Sequence, residues 1–436
     1  MQLHSISIVG LHDALTLEVA FNDEITLLVG INGSGKTSVL NVIDWLLKPD
    51  LQKLAITAYE RLSLSFTDKG VAYSLTATKT ATLVTLTLTG TKSPLKPLTI
   101  NLVRTIDPED DEASERYAGL TPDKNERPMW ELLKSFAKPT TISLDRTISA
   151  ESDEVEYVET PRGLMQRHVR TRSPLAYVAE ITSARYADFR SKAIANDSEL
   201  KAQIVFSALQ DPDIVLDGSS SFKPMTPAEI SRLEEKVVSY LTGTIKSKDI
   251  AKQIHSFFTS SRTLAQRRHL AHGQHELLLD FVTSRYRQIE RLAKAFNDFE
   301  TKNAADFRSL SEYLTATNRF LSDSKKELYF DESTGQLVFS FSDSSARKGV
   351  KRKITHLSSG EKQILILLTF LAFASRSDSV FIVDEPELSL HPKWQHEFME
   401  VFLSLRPQGT QLLLATHSPD IVGRFKSACV TLRSSR

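Results

Sequence analysis

Residues 30–37, Gly-Ile-Asn-Gly-Ser-Gly-Lys-Thr, match the pattern G-x-x-x-x-G-K-[ST]. An apolar run at 25–29 precedes them and a helical pattern at 38–47 follows, which is the context that the pattern requires. The glycines allow backbone N–H groups to converge on an anion, and the helix N-terminus adds its dipole. Lys36 can reach the β- and γ-phosphates of a nucleotide, and the Thr37 hydroxyl can ligate Mg²⁺. The predicted nucleotide-binding residues are Asn32, Gly33, Ser34, Gly35, Lys36, Thr37 and Ser38.

A second candidate stretch is the apolar run 380–383, which ends in the adjacent carboxylates Asp384 and Glu385. In a nucleoside triphosphatase, the first carboxylate would hold Mg²⁺ through water, and the second would orient and partly deprotonate the attacking water. A buried strand that ends in Asp-Glu is by itself also compatible with a capped turn. Together with the 30–37 loop, the pair favours a metal site at Asp384 and a catalytic base at Glu385.

Two further segments add candidate residues. Ser358, Ser359 and Gly360 open an apolar helical pattern that ends near residue 374, and such a helix N-terminus can bind an anion. His417 follows the apolar run 411–414, where its ring could hydrogen-bond a γ-phosphate or the attacking water. Each feature alone is weak, because Ser-Ser-Gly helix caps are common and a lone histidine is usually structural. Their order and placement around Asp384 and Glu385 make the four segments together a strong indication of a nucleoside triphosphatase site.

The surrounding pattern predicts which elements position these residues. The first 100 residues read as strands with one helix, and the alternation at Leu62, Leu64 and Phe66 predicts an antiparallel sheet. From 174 to 322 the apolar period is helical, and the last 80 residues alternate helix and strand as in a parallel α/β sheet. We therefore predict an α/β ATPase head interrupted by a helical insert. The expected boundaries are 1–172 for the N-terminal half of the head, 173–325 for the insert and 326–436 for the C-terminal half.

Composition excludes several classes of protein. The 436 residues carry 54 Lys plus Arg and 54 Asp plus Glu, so a surface built throughout to coat nucleic acid is not expected. The single cysteine, Cys429, excludes an intramolecular disulfide and a cysteine-rich zinc site. The most apolar runs are shorter than the ~20 residues that cross a bilayer, and the N-terminus lacks a signal-peptide pattern. We expect a cytoplasmic protein without a membrane partner.

The four motifs resemble those of the ATP-binding-cassette (ABC) ATPases, specifically the SMC/RecF-like branch. The spelling of residues 384–392, Asp-Glu-Pro-Glu-Leu-Ser-Leu-His-Pro, with Thr-His-Ser-Pro at 416–419, is similar to AAA-type ABC ATPases of bacterial anti-phage defence. Examples are the ATPase subunits of the PARIS, Septu and retron systems and the ATPase half of OLD-family nucleases. The resemblance covers about residues 1–105 and 327–436, and the helical middle carries no matching motif.

The resemblance implies a mechanism and partners. Two heads would stack head to tail as a homodimer or higher oligomer and sandwich ATP and Mg²⁺. Each site would combine five residues of one chain with Ser358 and Gly360 of the other; the five are Lys36, Thr37, Asp384, Glu385 and His417. Residues 389–391 fall where the family's D-loop lies. The expected role is a slow ATPase switch that controls a separate effector, such as a nuclease or toxin subunit.

Some positions depart from the family pattern, and one alternative function stays open. Ser359 replaces the usual Gly of the signature and Glu361 the usual Gln, and the pattern offers no clear Q-loop glutamine, although the run 140–144 is in a plausible place. The alternative is a RecF- or SMC-like DNA clamp, in which ATP closes two heads around DNA. It would need a continuous basic stripe; the candidates are Arg262, Arg267, Arg268, Arg285, Arg287, Arg291, Lys348, Lys351, Arg352 and Lys353.

Overall fold

The strands and helices follow the predicted order of a β-rich segment, a helical segment and an α/β segment. The computed structural model describes residues 1–102, 117, 120, 122–142, 148–149, 156–159, 165–168, 173–209, 226–244, 248–267, 276–342 and 349–432. The acidic stretch 107–116, Asp145, Arg146, Arg268 and Lys348 lie outside these ranges. The contacts divide the chain into one unit of residues 1–186 with 309–436 and a second unit of residues 187–308. The boundaries predicted at 173 and 325 stay a prediction.

The strands are β1 (Gln2–Leu11), β2 (Leu15–Ala20), β3 (Ile25–Val29), β4 (Arg61–Asp68), β5 (Val71–Lys79), β6 (Leu83–Thr89), β7 (Leu98–Asn101), β8 (Thr140–Ile142), β9 (Ile148–Ser149), β10 (Glu156–Glu159), β11 (Met165–His168), β12 (Lys326–Phe330), β13 (Leu337–Phe341), β14 (Arg352–Lys353), β15 (Val380–Asp384), β16 (Gln411–Thr416) and β17 (Cys429–Thr431). The helices are α1 (Lys36–Leu47), α2 (Leu51–Ile56), α3 (Arg127–Ser135), α4 (Pro174–Leu209), α5 (Pro227–Thr244), α6 (Lys248–Arg267), α7 (Glu276–Leu321), α8 (Ser359–Thr369), α9 (Pro392–Ser404) and α10 (Pro419–Val422).

The first sheet is antiparallel, with the order β2-β1-β4-β5-β6-β7. Leu62, Leu64 and Phe66 of β4 are fully buried, as their alternation predicted. A two-residue turn joins β4 to β5, and Lys69 and Gly70 both adopt positive φ, as a tight hairpin that follows the strand twist requires. The apolar face of the sheet contributes to the same core as α1.

The second sheet carries the site and has the order β17-β3-β16-β15-β8-β9. Strands β17, β3, β16, β15 and β8 pair in parallel, and β9 is antiparallel to β8. All residues of β15 and β16 are buried, which explains why these strands read as continuous apolar runs. This arrangement confirms the predicted α/β fold with a parallel sheet beside antiparallel sheets.

Strands from both ends of the sequence interleave in the parallel sheet. β3 pairs with β16 on one side and with β17 on the other, so the N-terminal strand lies between two C-terminal ones. Gln411 also joins the two main sheets: its side-chain oxygen accepts from the Leu3 N–H at 2.7 Å, and its amide nitrogen donates to the carbonyls of Leu3 and Asn22 at 2.9 and 2.8 Å. The two terminal segments therefore form one head.

The second unit, residues 187–308, is helical and has its own apolar cluster. The members of that cluster are Leu200, Ile230, Leu233, Val237, Phe258, Ile289, Ala295 and Phe296. Helix α5 begins with a capping box, because the Glu229 carboxylate accepts from the Thr226 N–H at 2.6 Å and the Glu229 N–H donates to the Thr226 hydroxyl at 3.3 Å. Within the described ranges, every helix is either too short or too polar to cross a membrane.

Two helices end in departures from regular α-helical geometry. α8 continues as a π-helix over Phe370–Ala374, so the apolar helix predicted to residue 374 changes its hydrogen bonding in the last turn. α10 ends at Val422, because Gly423 leaves helical geometry with a φ of 40°.

Candidate functional site

The loop between β3 and α1 has the conformation that its glycines permit. Gly33 and Gly35 adopt φ angles of 79° and 92°, in the left-handed region that side chains disfavour. A Cβ on Gly35 would also lie 2.7 Å from the Leu15 side chain, so two independent constraints select glycine there. The loop ends with Lys36 as the first residue of α1, which places the helix N-terminus at the loop.

The Lys36 side chain folds back over this loop. Its ammonium donates to the carbonyl oxygens of Gly30 and Ile31 at 3.1 and 3.2 Å, and the residue is only 5% exposed. Burial lowers the pKa of Lys36, since the charged form loses its hydration. Three carboxylates oppose this lowering of the pKa: Glu385, Asp384 and Glu387. The ammonium is therefore a cation placed beside the acidic end of β15.

Asp384 and Thr37 form a direct link between β15 and α1. The Thr37 hydroxyl donates to Asp384 Oδ2 at 2.8 Å. Burial raises the pKa of Asp384, the charges of Glu385 and Glu387 raise it further, and the Thr37 hydrogen bond and Lys36 oppose the rise. The second carboxylate oxygen, Oδ1, is buried and has no hydrogen-bond partner among the described residues.

The unpartnered Oδ1 atom fits a divalent cation. A buried carboxylate oxygen without a partner is costly, and a hydrogen bond from a metal-bound water would remove that cost. Carboxylate and hydroxyl oxygens are ligands that suit Mg²⁺, which takes few protein ligands and completes its shell with water and phosphate. Thr37 through its hydroxyl and Asp384 through water are the residues that would hold the ion; this assignment stays a prediction. When bound there, Mg²⁺ would neutralise part of the negative charge of the phosphates.

Glu385 and His417 face each other beyond the ends of β15 and β16. Glu385 has a φ of 47°, a left-handed conformation that is uncommon for a non-glycine residue, and its N–H donates to the Ala415 carbonyl at 2.9 Å. His417 Nε2 lies 3.4 Å from Glu385 Oε1, and its Nδ1 lies 3.5 Å from Lys36 Nζ. Both contacts are satisfied when Nδ1 accepts and Nε2–H donates. Strained backbone at such a position is typical of functional sites.

These side chains border one open cavity of about 570 Å³. The lining residues are Leu11, His12, Ala14, Leu15, Asn32, Gly33, Gly35, Lys36, Thr37, Ser38, Glu385 and His417. The Ser34 side chain does not line the cavity, because it is buried. Its hydroxyl has no hydrogen-bond partner among the described residues. Asp384 lies behind Thr37 and reaches the site through the hydrogen bond described above.

The turn between β1 and β2 forms part of this cavity, and the sequence reasoning missed it. His12 and Asp13 adopt φ angles of 53° and 58°, both left-handed, within the three residues that join the paired Leu11 and Leu15. The His12 N–H donates to the Ala58 carbonyl at 2.9 Å, which anchors the turn. A signal was available in the sequence, since a polar His-Asp pair interrupts two apolar strand patterns.

The predicted signature residues do not line the cavity of their own chain. Ser358 is the N-cap of α8, and both Ser358 and Ser359 are exposed. Gly360 is buried against the turn after β15: a Cβ there would lie 2.5 Å from the Ser389 carbonyl oxygen and 3.5 Å from the Trp394 ring. Glycine at 360 is therefore required for close approach of the two segments.

Glu361, which departs from the family spelling, is the partner of that cap. Its carboxylate accepts from the Ser358 N–H at 2.7 Å, from the Ser324 hydroxyl at 2.7 Å and from Lys326 Nζ at 2.8 Å, while the Glu361 N–H donates to the Ser358 hydroxyl at 3.4 Å. Burial would raise the pKa of Glu361, but the hydrogen bonds from Lys326, Ser324 and the Ser358 amide outweigh it, so the pKa is lowered. The glutamate thus fixes the signature helix to the start of β12.

Glu387 is a further polar residue at the site that the sequence reasoning did not single out. Its carboxylate oxygen Oε1 accepts from the Thr416 hydroxyl, the His417 N–H and the Ser418 N–H at 2.9, 2.6 and 3.2 Å. The motif Asp-Glu-Pro-Glu contains this residue, but its partners lie about 30 positions away in the sequence.

The fold and the site define a P-loop nucleotide-binding protein. The sequence model of the AAA ATPase domain family matches residues 1–422, and the chain belongs to that family. Membership in this family implies ATP binding. The functional role of each site residue stays a prediction. The structure gives the contacts that each of these residues makes.

Curated proteins match short parts of the chain. One is UvrABC system protein A of Chlamydia trachomatis serovar D, 36% identical over 72 residues, which are 16% of this chain and 4% of that protein. A second, named as a candidate ABC transporter ATP-binding protein of Geobacter sulfurreducens, is 35% identical over 75 residues, 17% of this chain and 26% of that protein. A similarly named protein of Bacillus thuringiensis subsp. konkukian is 31% identical over 85 residues, 19% and 15% of the two chains. The chain spans about a quarter or less of the length of these relatives.

Two solved structures are similar along most of the chain. One is the Smc head domain with an extended coiled coil bound to the C-terminal domain of ScpA, from Pyrococcus furiosus, with a TM-score of 0.37, 12% identity and coverage of 99% of this chain and 94% of that one. The other is the SmcHead bound to the C-winged helix domain of ScpA, with a TM-score of 0.40, 10% identity and coverage of 100% and 95%.

Proposed function

We propose that this protein binds ATP with Mg²⁺ and hydrolyses it slowly to ADP and phosphate. The observation that carries the proposal is that one cation, one carboxylate and an imidazole line the cavity beside the glycine-rich loop: Lys36, Glu385 and His417. A second carboxylate, Asp384, is linked to the cavity by the hydrogen bond that it accepts from Thr37. Family membership over residues 1–422 supports the same conclusion.

Each residue has a role that its position allows. The loop amides and the N-terminus of α1 bind phosphate oxygens, and Lys36 adds a charge that can move from the carbonyls of Gly30 and Ile31 to a phosphate. Glu385 accepts the proton of the attacking water, since it lies at the cavity with a carboxylate partnered only by the His417 ring at 3.4 Å among described residues. His417 contacts both Lys36 and Glu385, so it can orient the water between them.

Two variants test this proposal. Lys36→Ala should abolish nucleotide binding, whereas Glu385→Gln should retain binding and lose turnover by about 10²-fold or more, in the range of removing a general base. The measurements are phosphate release and the dissociation constant of a fluorescent ATP analogue. The exposed Lys53 and Glu18 supply matched controls, Lys53→Ala and Glu18→Gln, which should behave as wild type. Wild-type hydrolysis by Glu385→Gln would contradict the assignment of the base.

The site is completed by a second copy of the chain in this proposal. Ser358 and Ser359 are exposed at the N-terminus of α8 and do not line their own chain's cavity, which leaves them available to the γ-phosphate bound by a partner. Glu385→Gln with ATP and Mg²⁺ should therefore elute as a dimer. Adding Ser358→Arg should return it to a monomer, while Ser93→Arg, on the exposed loop before β7, should not. A monomer that retains bound ATP in the Glu385→Gln variant would contradict the dimer.

The biological role in this proposal is control of a separate effector, such as a nuclease, in anti-phage defence. The spelling of residues 384–392 and 416–419 supports it, as does the helical unit 187–308, which has a surface of its own. Tagged Glu385→Gln with ATP should co-purify a stoichiometric nuclease-like protein, and Lys36→Ala should not. Phage challenge of cells with wild type or Lys36→Ala tests the role directly, and equal plaque numbers would contradict it.

The structure gives less support to the DNA-clamp alternative than to the control of a separate effector. Two of the basic candidates are in ion pairs, Arg262 with Glu234 and Lys351 with Asp331 at 2.7 Å. Each carboxylate partly offsets the positive charge that a clamp would present to phosphates. A clamp would show DNA affinity that falls steeply with salt, with a slope that decreases when basic residues are removed. Co-purification of DNA without a protein partner would favour this alternative.

A further inference from the structure

We infer that Glu387 is a positioning residue: its carboxylate holds the segment 416–418 and so sets the orientation of His417 toward Glu385. The inference rests on the proposed ATP hydrolysis, and it adds a residue to that site. Glu387 does not line the cavity, so it would act through His417 rather than on the nucleotide.

The contacts of Glu387 are concentrated on one oxygen. Oε1 accepts from the Thr416 hydroxyl at 2.9 Å, from the His417 N–H at 2.6 Å and from the Ser418 N–H at 3.2 Å. These are charge-assisted hydrogen bonds, which are shorter and stronger than neutral ones. One carboxylate therefore fixes three consecutive residues immediately after β16.

The ring of His417 is held more weakly than its backbone. Its nitrogens lie 3.5 Å from Lys36 Nζ and 3.4 Å from Glu385 Oε1, at the long limit of hydrogen-bond distance. Contacts of this length do not fix a ring by themselves. The position of the imidazole is set instead by the backbone at 417, whose N–H donates to Glu387 at 2.6 Å. The neighbouring Ser418 is also held by the Thr416 hydroxyl, which accepts from its N–H at 3.0 Å, and by Gln395, which accepts from its hydroxyl at 2.6 Å.

The two carboxylate oxygens of Glu387 differ in their hydrogen bonds. Oε2 is buried and has no hydrogen-bond partner among the described residues, so all of the accepting function belongs to Oε1. Glutamine presents a carbonyl oxygen at the same distance from the backbone, whereas alanine presents none and aspartate is one methylene shorter. A positioning role therefore predicts that Gln replaces Glu387 and that Ala and Asp do not.

Steady-state ATP hydrolysis provides the first test. Glu387→Ala and Glu387→Asp should lower kcat by roughly 10- to 100-fold with KM within about threefold, since a misplacement of about 1 Å costs up to 10²-fold. Glu387→Gln should stay within about threefold of wild type, and the exposed control Glu18→Ala should be unchanged. An inactive Gln variant beside an active Asp variant would show that the charge is needed, and would overturn the inference.

A double-mutant cycle with His417 tests whether Glu387 affects ATP hydrolysis through His417. If Glu387 acts through His417, Glu387→Ala should cost less than about twofold in kcat once His417 is already alanine. Losses that multiply in the double variant would overturn the inference, because Glu387 would then act independently of the ring.

A measurement without turnover separates this inference from the proposed function. In protein labelled with ¹³C-histidine, the ring resonance of His417 is identified by its loss in His417→Ala. Glu387→Ala or Glu387→Asp should move that resonance, and Glu387→Gln should leave it in place, whether or not ATP is hydrolysed. An unmoved resonance in the folded Ala and Asp variants would overturn the anchor, whereas a wild-type protein without turnover would contradict the proposed ATPase alone.

Discussion

Replacing Glu361 with alanine should destabilise the head more than any other change at the exposed signature segment. Glu361 is 2% exposed, and its carboxylate accepts from Lys326, Ser324 and the Ser358 amide at 2.7–2.8 Å. The Lys326 side chain is only 14% exposed, so alanine at 361 leaves an ammonium group largely buried and without its carboxylate. Removing one partner of a buried ion pair costs about 3–5 kcal/mol.

This cost is measurable as a change in the unfolding temperature. For a unit of this size, 1 kcal/mol corresponds to a few degrees, so Glu361→Ala should lower Tm by roughly 5–15 °C. Calorimetry or urea unfolding at pH 7 provides the assay. Exposed Glu18→Ala is the matched control and should leave Tm within about 1 °C, as surface substitutions usually do.

The double variant Glu361→Ala with Lys326→Met isolates the cause. Lys326 lies 5.6 and 5.9 Å from the ring centres of Phe339 and Phe341, an apolar setting in which methionine can pack. Removing the unpaired ammonium should therefore recover about half of the lost stability. The unpaired ammonium is not the cause if Glu361→Ala lowers the free energy of unfolding by less than about 1 kcal/mol. A double variant that is less stable than the single variant would refute that cause as well.

Three further results are expected. Gly360→Ala should cost about 1–3 kcal/mol and lower ATP turnover, since its Cβ would lie 2.5 Å from the Ser389 carbonyl; unchanged melting and turnover would contradict the close approach. Gln411→Leu should cost about 2–4 kcal/mol in urea unfolding, because it leaves the backbone groups of Leu3 without partners, and exposed Gln408→Leu should not. The lowered pKa of Glu361 stabilises the folded state above its ordinary value of 4.5, and that stabilisation is lost as pH falls through the lowered value. The difference in Tm between wild type and Glu361→Gln should therefore be largest near pH 7 and shrink below about pH 4.5, and a difference that grows with acidity would contradict the assignment.

The strands and helices could be predicted because the pattern that indicates each of them lies within a short stretch of consecutive residues. A glycine-rich loop between a strand and a helix, an apolar run that ends in Asp384-Glu385 and an alternation in β4 each occupy fewer than a dozen consecutive residues. The composition of such a segment determines its own conformation. The grouping of Thr37, Asp384 and His417 in one site was implied by the resemblance to ABC ATPases.

The parts that could not be predicted depend on pairs far apart in the chain. Glu361 and Lys326 are 35 positions apart, and Glu387 and His417 are 30 positions apart. Periodicity identifies which face of an element is buried, but it does not identify which polar groups meet once the elements pack. The same limit explains the β1–β2 turn, whose place beside the loop 30–37 depends on how the antiparallel sheet meets the parallel one.

The position of β3 has a consequence for the order of events during translation. All six strands of the antiparallel sheet lie within residues 2–101, so their pairing can begin as soon as that part of the chain has left the ribosome. β3 and the loop that follows it must wait for β16 and β17, which are synthesised about 300 residues after that sheet. At about 5–20 residues per second, that interval is on the order of 15–60 s. Throughout it, β3 has neither of its two neighbours, so nascent chains should depend on chaperones that cover an apolar strand with open edges.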